Sequence, residues 1–156
     1  MTTYPALTVW QPGATLITVG AKPFEFRHWA APRRLWGQRI AIHAGSRPMK
    51  RVEILHLCER LYDPAHVTGL RASIARGVLD IALDDTGAFP LASVLCIATL
   101  GEPIRNEALA EALGGGLCHD STRDEHTNWG WPLTDIERLE PFVPARGHQG
   151  FWNWTR

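Results

Sequence analysis

The nine residues Ala92 to Leu100, ASVLCIATL, carry two hydroxyl groups and no charge. Bounded by the turn-rich DDTGAFP of residues 84–90, this run reads as a strand buried on both faces, so the other elements have to cover it. They are short. Leu7 to Trp10 reads as a strand, and Pro12 then suits the first turn of a helix over residues 12–19, which Gly20 stops. Phe24 to Trp29 alternates as a strand, with the two phenylalanines on one side and Glu25, Arg27 and Trp29 on the other. Residues 38–44 alternate again, Ile40 and Ile42 against Arg39 and His43.

A helical stripe follows through Val52, Leu55 and Glu59. Asp63-Pro64 signals the start of a second helix, spaced by Val67, Leu70 and Ile74 and closed by Gly77. A short helix at 106–113 runs into three glycines, and the polar segment 117–128 reads as a mobile surface loop. Residues 129–139 and 149–154 close the chain as strands, separated by a loop over 141–147. Short strands with helices tucked between them, and no regular alternation of the two, predict an α+β fold: a small mixed β-barrel with flanking helices. At 156 residues, 45% apolar and with seven Trp, the chain can bury one real core, and residues 1–156 read as a single domain.

Formal net charge is zero, but its distribution is uneven. Residues 22–51 hold eight basic side chains and one acid, whereas residues 52–156 hold eight basic and fifteen acidic ones. The first stretch is a candidate basic face for a polyanion. Cys58, Cys96 and Cys118 are odd in number and form no CxxC, which fits reduced thiols in a cytoplasmic protein. The first residues lack the basic start and apolar core of a signal peptide, and no apolar run approaches the roughly 20 residues of a membrane span. Cys118, His119 and His126 match no zinc-ligand spacing, so no metal or cofactor is expected.

The stretch most able to carry chemistry is GAKPFEFR, residues 20–27. Glu25 and Arg27 share a strand face about 6.6 Å apart, and Lys22 stands just before them. Two cations around a carboxylate can recognise a phosphate and a base donor together, or move a proton if the lysine is desolvated. Trp29 shares that face and can stack a base, as can Trp10, Trp129, Trp131, Trp152 and Trp154. Gln11 has an amide able to read a base edge. His43 lies on the polar side of its strand. Ser46 and Arg47 follow a glycine ahead of a helix, where phosphate can bind. Arg146 and Gln149 flank Gly147, where backbone can approach a ligand.

The spacing G-x-K-x-x-E-x-R, filled by Gly20, Lys22, Glu25 and Arg27, resembles the motif of the ASCH domain, a member of the PUA-like superfamily. Leu7-Thr8-Val9-Trp10-Gln11-Pro12 is similar to that family's opening, and Arg39 to Ala44 to its L-x-I-H-A strand. Trp131-Pro132-Leu133 and Arg146-Gly147-His148-Gln149-Gly150-Phe151-Trp152 resemble its closing elements. The likeness spans both ends of the chain, with 48–90 and 102–128 as looser helical inserts. It implies a PUA-like barrel with a cleft between the first helix and the charged motif. It also gives Arg146 and Gln149 most of their functional weight.

Two functions follow. One is binding of nucleic acid, RNA or another single strand, or of a nucleoside, in a base-sized cleft. The other is hydrolysis of an RNA phosphodiester or of an acylated cytidine, with Lys22 and Glu25 as catalytic residues. The deacylases that the chain resembles use a lysine, a threonine and a distant glutamate. Lys22 matches the lysine, and Glu25 stands in the threonine's place.

Overall fold

In the computed structural model, which describes residues 1–115, 117–120 and 127–156, β1 (Thr3–Val9) leads into α1 (Gly13–Thr18) and then β2 (Phe24–Arg27). A 3-10 turn at Arg33–Leu35 precedes β3 (Arg39–Ala44), and α2 (Arg51–Tyr62), β4 (His66–Val67) and α3 (Ala72–Asp84) follow. Then come β5 (Ser93–Leu100), β6 (Ile104–Arg105), α4 (Asn106–Leu113), β7 (Leu117–Cys118), β8 (Trp129–Pro144) and β9 (Phe151–Thr155). Seven strands form one mixed sheet in the order β2-β8-β5-β3-β1-β9, with β6 also on β8, and β4 pairs β7 separately. The architecture is mixed α/β.

The strand expected to be buried on both faces is β5, where seven of eight residues are fully buried. Its side chains feed two clusters, with register shifts between Val94 and Cys96 and between Ile97 and Thr99 interrupting the strict alternation. Leu95, Ala98 and Leu100 join Leu7, Val9, Ile40, Ile42 and Trp131, while Val94 and Ile97 join Ala6, Ala41, Leu139 and Trp154. Neighbours on β1 and β3 thus divide between two cores, as a period of two requires. Helix α1 wedges between sheet and helices: Ala14 and Ile17 face the first core, and Leu16 packs with Ile54, Leu57, Ala75 and Leu79 of α2 and α3.

The expected barrel is not closed by strand pairing. Among the described residues no ladder joins β2 to β9. Side chains bridge the ends instead. The Trp131 and Phe151 rings stack at 5.8 Å, Trp29 meets both edge-on, and the Arg27 guanidinium donates to the Thr8 carbonyl of β1 at 3.0 Å.

The second helix begins nine residues after Asp63, not at it. Asp63 accepts from Ala65 N–H at 2.9 Å and contacts His66 at 2.9 Å, so its carboxylate builds a turn before β4. Gly77 lies inside α3 rather than ending it. Its surroundings are open, and Ala75, Leu79 and Ala82 carry the helix's buried face across it. The loop expected over 141–147 is shorter, because β8 continues through Pro144. Of the segment read as a mobile loop, Leu117–Cys118 is a strand and Cys118 and His119 are buried, while residues 121–126 lie outside the described residues. No described helix is long and apolar enough to cross a membrane.

Candidate functional site

Where the chain leaves β1 and enters α1, a cleft of about 1360 Å³ opens between β2, the segment after β3, and the loop joining β8 to β9. Its floor comes from the GAKPFEFR stretch. Gly20 takes φ +81, a left-handed conformation that ends α1. The turn closes with Lys22 N–H donating to Leu16 O at 3.0 Å, which delivers the lysine inward. Lys22 is 3% exposed and Glu25 6%. Lys22 Nζ lies 2.5 Å from Asp120 Oδ2 and 3.8 Å from Glu25 Oε2, and 4.9 Å from the Phe26 ring centroid. Arg27 Nε donates to Glu25 Oε1 at 3.0 Å. Glu25 Oε2 is buried and, among the described residues, accepts no hydrogen bond. Such an atom costs about 1–3 kcal/mol when left unmade, and the residue that carries it lines the cleft.

One wall is neutral and complete. His43 Nε2 donates to the Ala145 carbonyl at 2.8 Å, so in the neutral ring Nδ1 accepts from the Thr8 hydroxyl at 3.2 Å. Trp152 Nε1 donates to the same hydroxyl at 3.2 Å, and its ring meets His43 edge-on at 5.4 Å. Burial lowers the His43 pKa below its ordinary 6.5; the Ala145 carbonyl opposes this and His148 adds to it. Gly147 covers the histidine so closely that a Cβ there would lie 2.5 Å from His43 Cε1 and 2.7 Å from Thr8 Oγ1.

At the mouth, Arg47 grips Glu53 through both nitrogens at 3.0 and 2.5 Å, and its guanidinium sits 4.4 Å from the Trp10 ring centroid. The Glu53 hydrogen bond raises the Arg47 pKa. No protein-family model and no curated protein matches the chain.

Of the residues singled out by sequence, the cleft gathers Gln11, Lys22, Glu25, Arg27, His43, Ser46, Arg47, Arg146 and Gln149. Ser46, Arg146 and Gln149 stand exposed on its rim. Gln11 is spent internally: Nε2 donates to Pro90 O at 2.8 Å and Oε1 accepts from Thr15 N–H at 3.0 Å. Trp29 is the exception. The strand ends at Arg27, so Trp29 leaves the face of Glu25 and packs against Trp131 at 4.7 Å, away from the cleft. The basic stretch is also less open than its charge suggests. Lys22, Arg27, Arg39 and Arg47 are each in an ion pair with an acid.

One residue of the charged floor escaped the sequence reading, and Trp10 was named there only as one of six tryptophans able to stack a base. Asp120 lies 98 positions from Lys22 in a polar stretch that gives no sign of its partner. Trp10 had the signal of standing at a strand end beside Gln11-Pro12, but nothing in its identity distinguished it from six other tryptophans. Among the described residues no group of three or more His, Cys, Asp or Glu is placed to hold a metal ion.

Proposed function

We propose that this chain is an ASCH-type nucleic-acid-binding protein whose cleft receives an unpaired base of RNA. In this reading the curled, unclosed sheet is an opened form of the PUA-like barrel. The observation that carries it is Glu25 Oε2, a buried acceptor without a donor among the described residues, 3.8 Å from the Lys22 ammonium. A base edge offers an N–H donor beside an acceptor, which suits a carboxylate next to an ammonium. RNA is favoured because its bases are read mainly where they are unpaired and splayed out. Arg146 and Arg47 at the rim supply charge for phosphates.

The test is titration of short single-stranded RNA into wild type and Glu25→Gln. The variant keeps an oxygen for Arg27 and turns an amide N–H₂ toward the base donor. Hydrogen bonds to charged groups are worth about 1.5–3 kcal/mol, so affinity is expected to fall about 10- to 100-fold. The variant also takes one charge out of the buried network, so its unfolding midpoint is expected to fall too, and binding is compared well below both midpoints. Equal affinities in the two proteins would sink the reading. Because half of the basic stretch is already paired, salt dependence is expected to be shallow. Arg47 and Arg146 at the rim give a log–log slope no steeper than about −1.4, at roughly −0.7 per phosphate neutralised, because Arg47 already shares its charge with Glu53.

A second reading rests on the placement of Lys22 between two carboxylates. In a hydrolase of RNA phosphodiesters or of acylated cytidine, Glu25 would take a proton from the attacking water. Lys22 would stabilise the charge developing on the substrate oxygen. Product formation by wild type, abolished in Glu25→Gln and Lys22→Ala, selects this reading. Binding without turnover selects the first.

A further inference from the structure

Trp10 is the one tryptophan of seven that the fold leaves mostly in solvent, at 53% exposed. Its position is nonetheless fixed. Gly45 lies against the indole so closely that a Cβ there would sit 3.1 Å from Trp10 Cδ1. Arg47 lies over the ring, and Glu53 holds Arg47 by two of its five N–H groups. The remaining N–H groups are left for an anion beside the ring. Arg47 covers part of the indole; the exposed remainder of this fixed ring is a platform for a flat ring, with the cation beside it for a phosphate.

This platform and the Lys22–Glu25 floor line the same cleft, and its volume of about 1360 Å³ is more than one base needs. Sites for a single small molecule run to roughly 300–1,000 Å³. We infer that the cleft binds a single strand of at least two nucleotides, one base at Glu25 and the other stacked on Trp10, so that an oligonucleotide and not a free nucleoside is its ligand. The inference rests on the base-binding reading of the floor. Arg47 and Arg146 face the linking phosphate, and stacking makes the Trp10 position tolerant of base identity.

Calorimetric titration of a mixed-sequence RNA tetranucleotide and of the four nucleoside 5′-monophosphates tests it. The tetranucleotide is expected to bind wild type at least tenfold tighter than any monophosphate. Trp10→Ala is expected to weaken the tetranucleotide about 5- to 150-fold, the worth of one stacked base, and so to shrink the ratio between the two ligands. Trp10→Phe should restore most of that ratio. An unchanged unfolding midpoint for Trp10→Ala shows that the variant folds. If the tetranucleotide binds no tighter than the monophosphates, or the ratio survives Trp10→Ala, the second subsite is overturned. The floor then still stands provided Glu25→Gln weakens the monophosphates. If none of these ligands binds, the floor reading fails and this inference fails with it.

Discussion

Two buried polar clusters sit a few residues apart in one cleft and are built on opposite terms. Around His43, a ring, a hydroxyl and an indole are neutral, and each of their polar atoms has a partner. Around Lys22, an ammonium, a guanidinium and two carboxylates meet, and among the described residues one oxygen is left over. The first arrangement is what a folded chain needs to bury polarity at little cost. The second carries the desolvation of several charges and still leaves an acceptor open. A cluster that is costly and incomplete makes sense as a site awaiting a donor. A cluster that is complete makes sense as the post holding the loop beside it.

That contrast is broken most directly by Lys22→Met. Removing one member of a buried charge network leaves the others uncompensated and costs about 3–5 kcal/mol. The lower end is expected here, because Arg27 still faces Glu25. Denaturant unfolding measures it. The double variant with Asp120→Asn is expected to recover much of the loss, since the leftover charge goes too. A loss below 1 kcal/mol for the single variant would mean the floor is solvated, and the contrast between the clusters would vanish.

How much of this was legible in the sequence differs between the same two clusters. The charges of the floor were readable because alternation places Glu25 and Arg27 on one face and Gly20 and Pro23 bracket Lys22. Their partner Asp120 was not, because a contact spanning 98 residues depends on how β7 docks, and no local pattern records it. Trp29 was placed on the floor's face by extending the alternation two residues past the strand's end. Trp10 was one of six indoles named as able to stack a base, and only the fold showed that it is the one the core leaves exposed. The basic stretch misled for a related reason: acids such as Glu53 and Glu137 return to it in space. The strand buried on both faces was readable throughout, since uninterrupted apolarity carries its own meaning. That the sheet stays unclosed was not, because the ring contacts and the Arg27 hydrogen bond that link its ends leave no pattern along the chain.

A middle-sized effect probes the complete cluster by crowding it. Gly147→Ala pushes a methyl to within 2.5–2.7 Å of His43 and Thr8, too close for any rotamer to relieve. The backbone of the 145–150 loop or the histidine has to move, and overpacking of this sort costs about 1–3 kcal/mol. The unfolding midpoint is expected to drop accordingly. A variant as stable as wild type would mean that the loop rests loosely on the histidine.

The smallest effect asks whether the complete cluster is neutral. Burial holds the His43 pKa below 6.5, so as pH falls through 6.5 the unfolded chain takes up a proton at this position before the folded one does. Stability attributable to His43 is therefore full above pH 6.5 and declines as pH drops toward the folded-state value. His43→Gln keeps an N–H for the Ala145 carbonyl and an oxygen facing Thr8 but cannot titrate. It is expected to be modestly less stable than wild type at pH 7.5, with a smaller further loss between pH 7.5 and 5.5. A wild-type slope no steeper than the variant's would show that the folded protein accepts the proton as readily as the unfolded chain does. Thr8 would then be accepting from a charged ring and passing its own hydrogen to the His148 carbonyl, which lies 3.3 Å away.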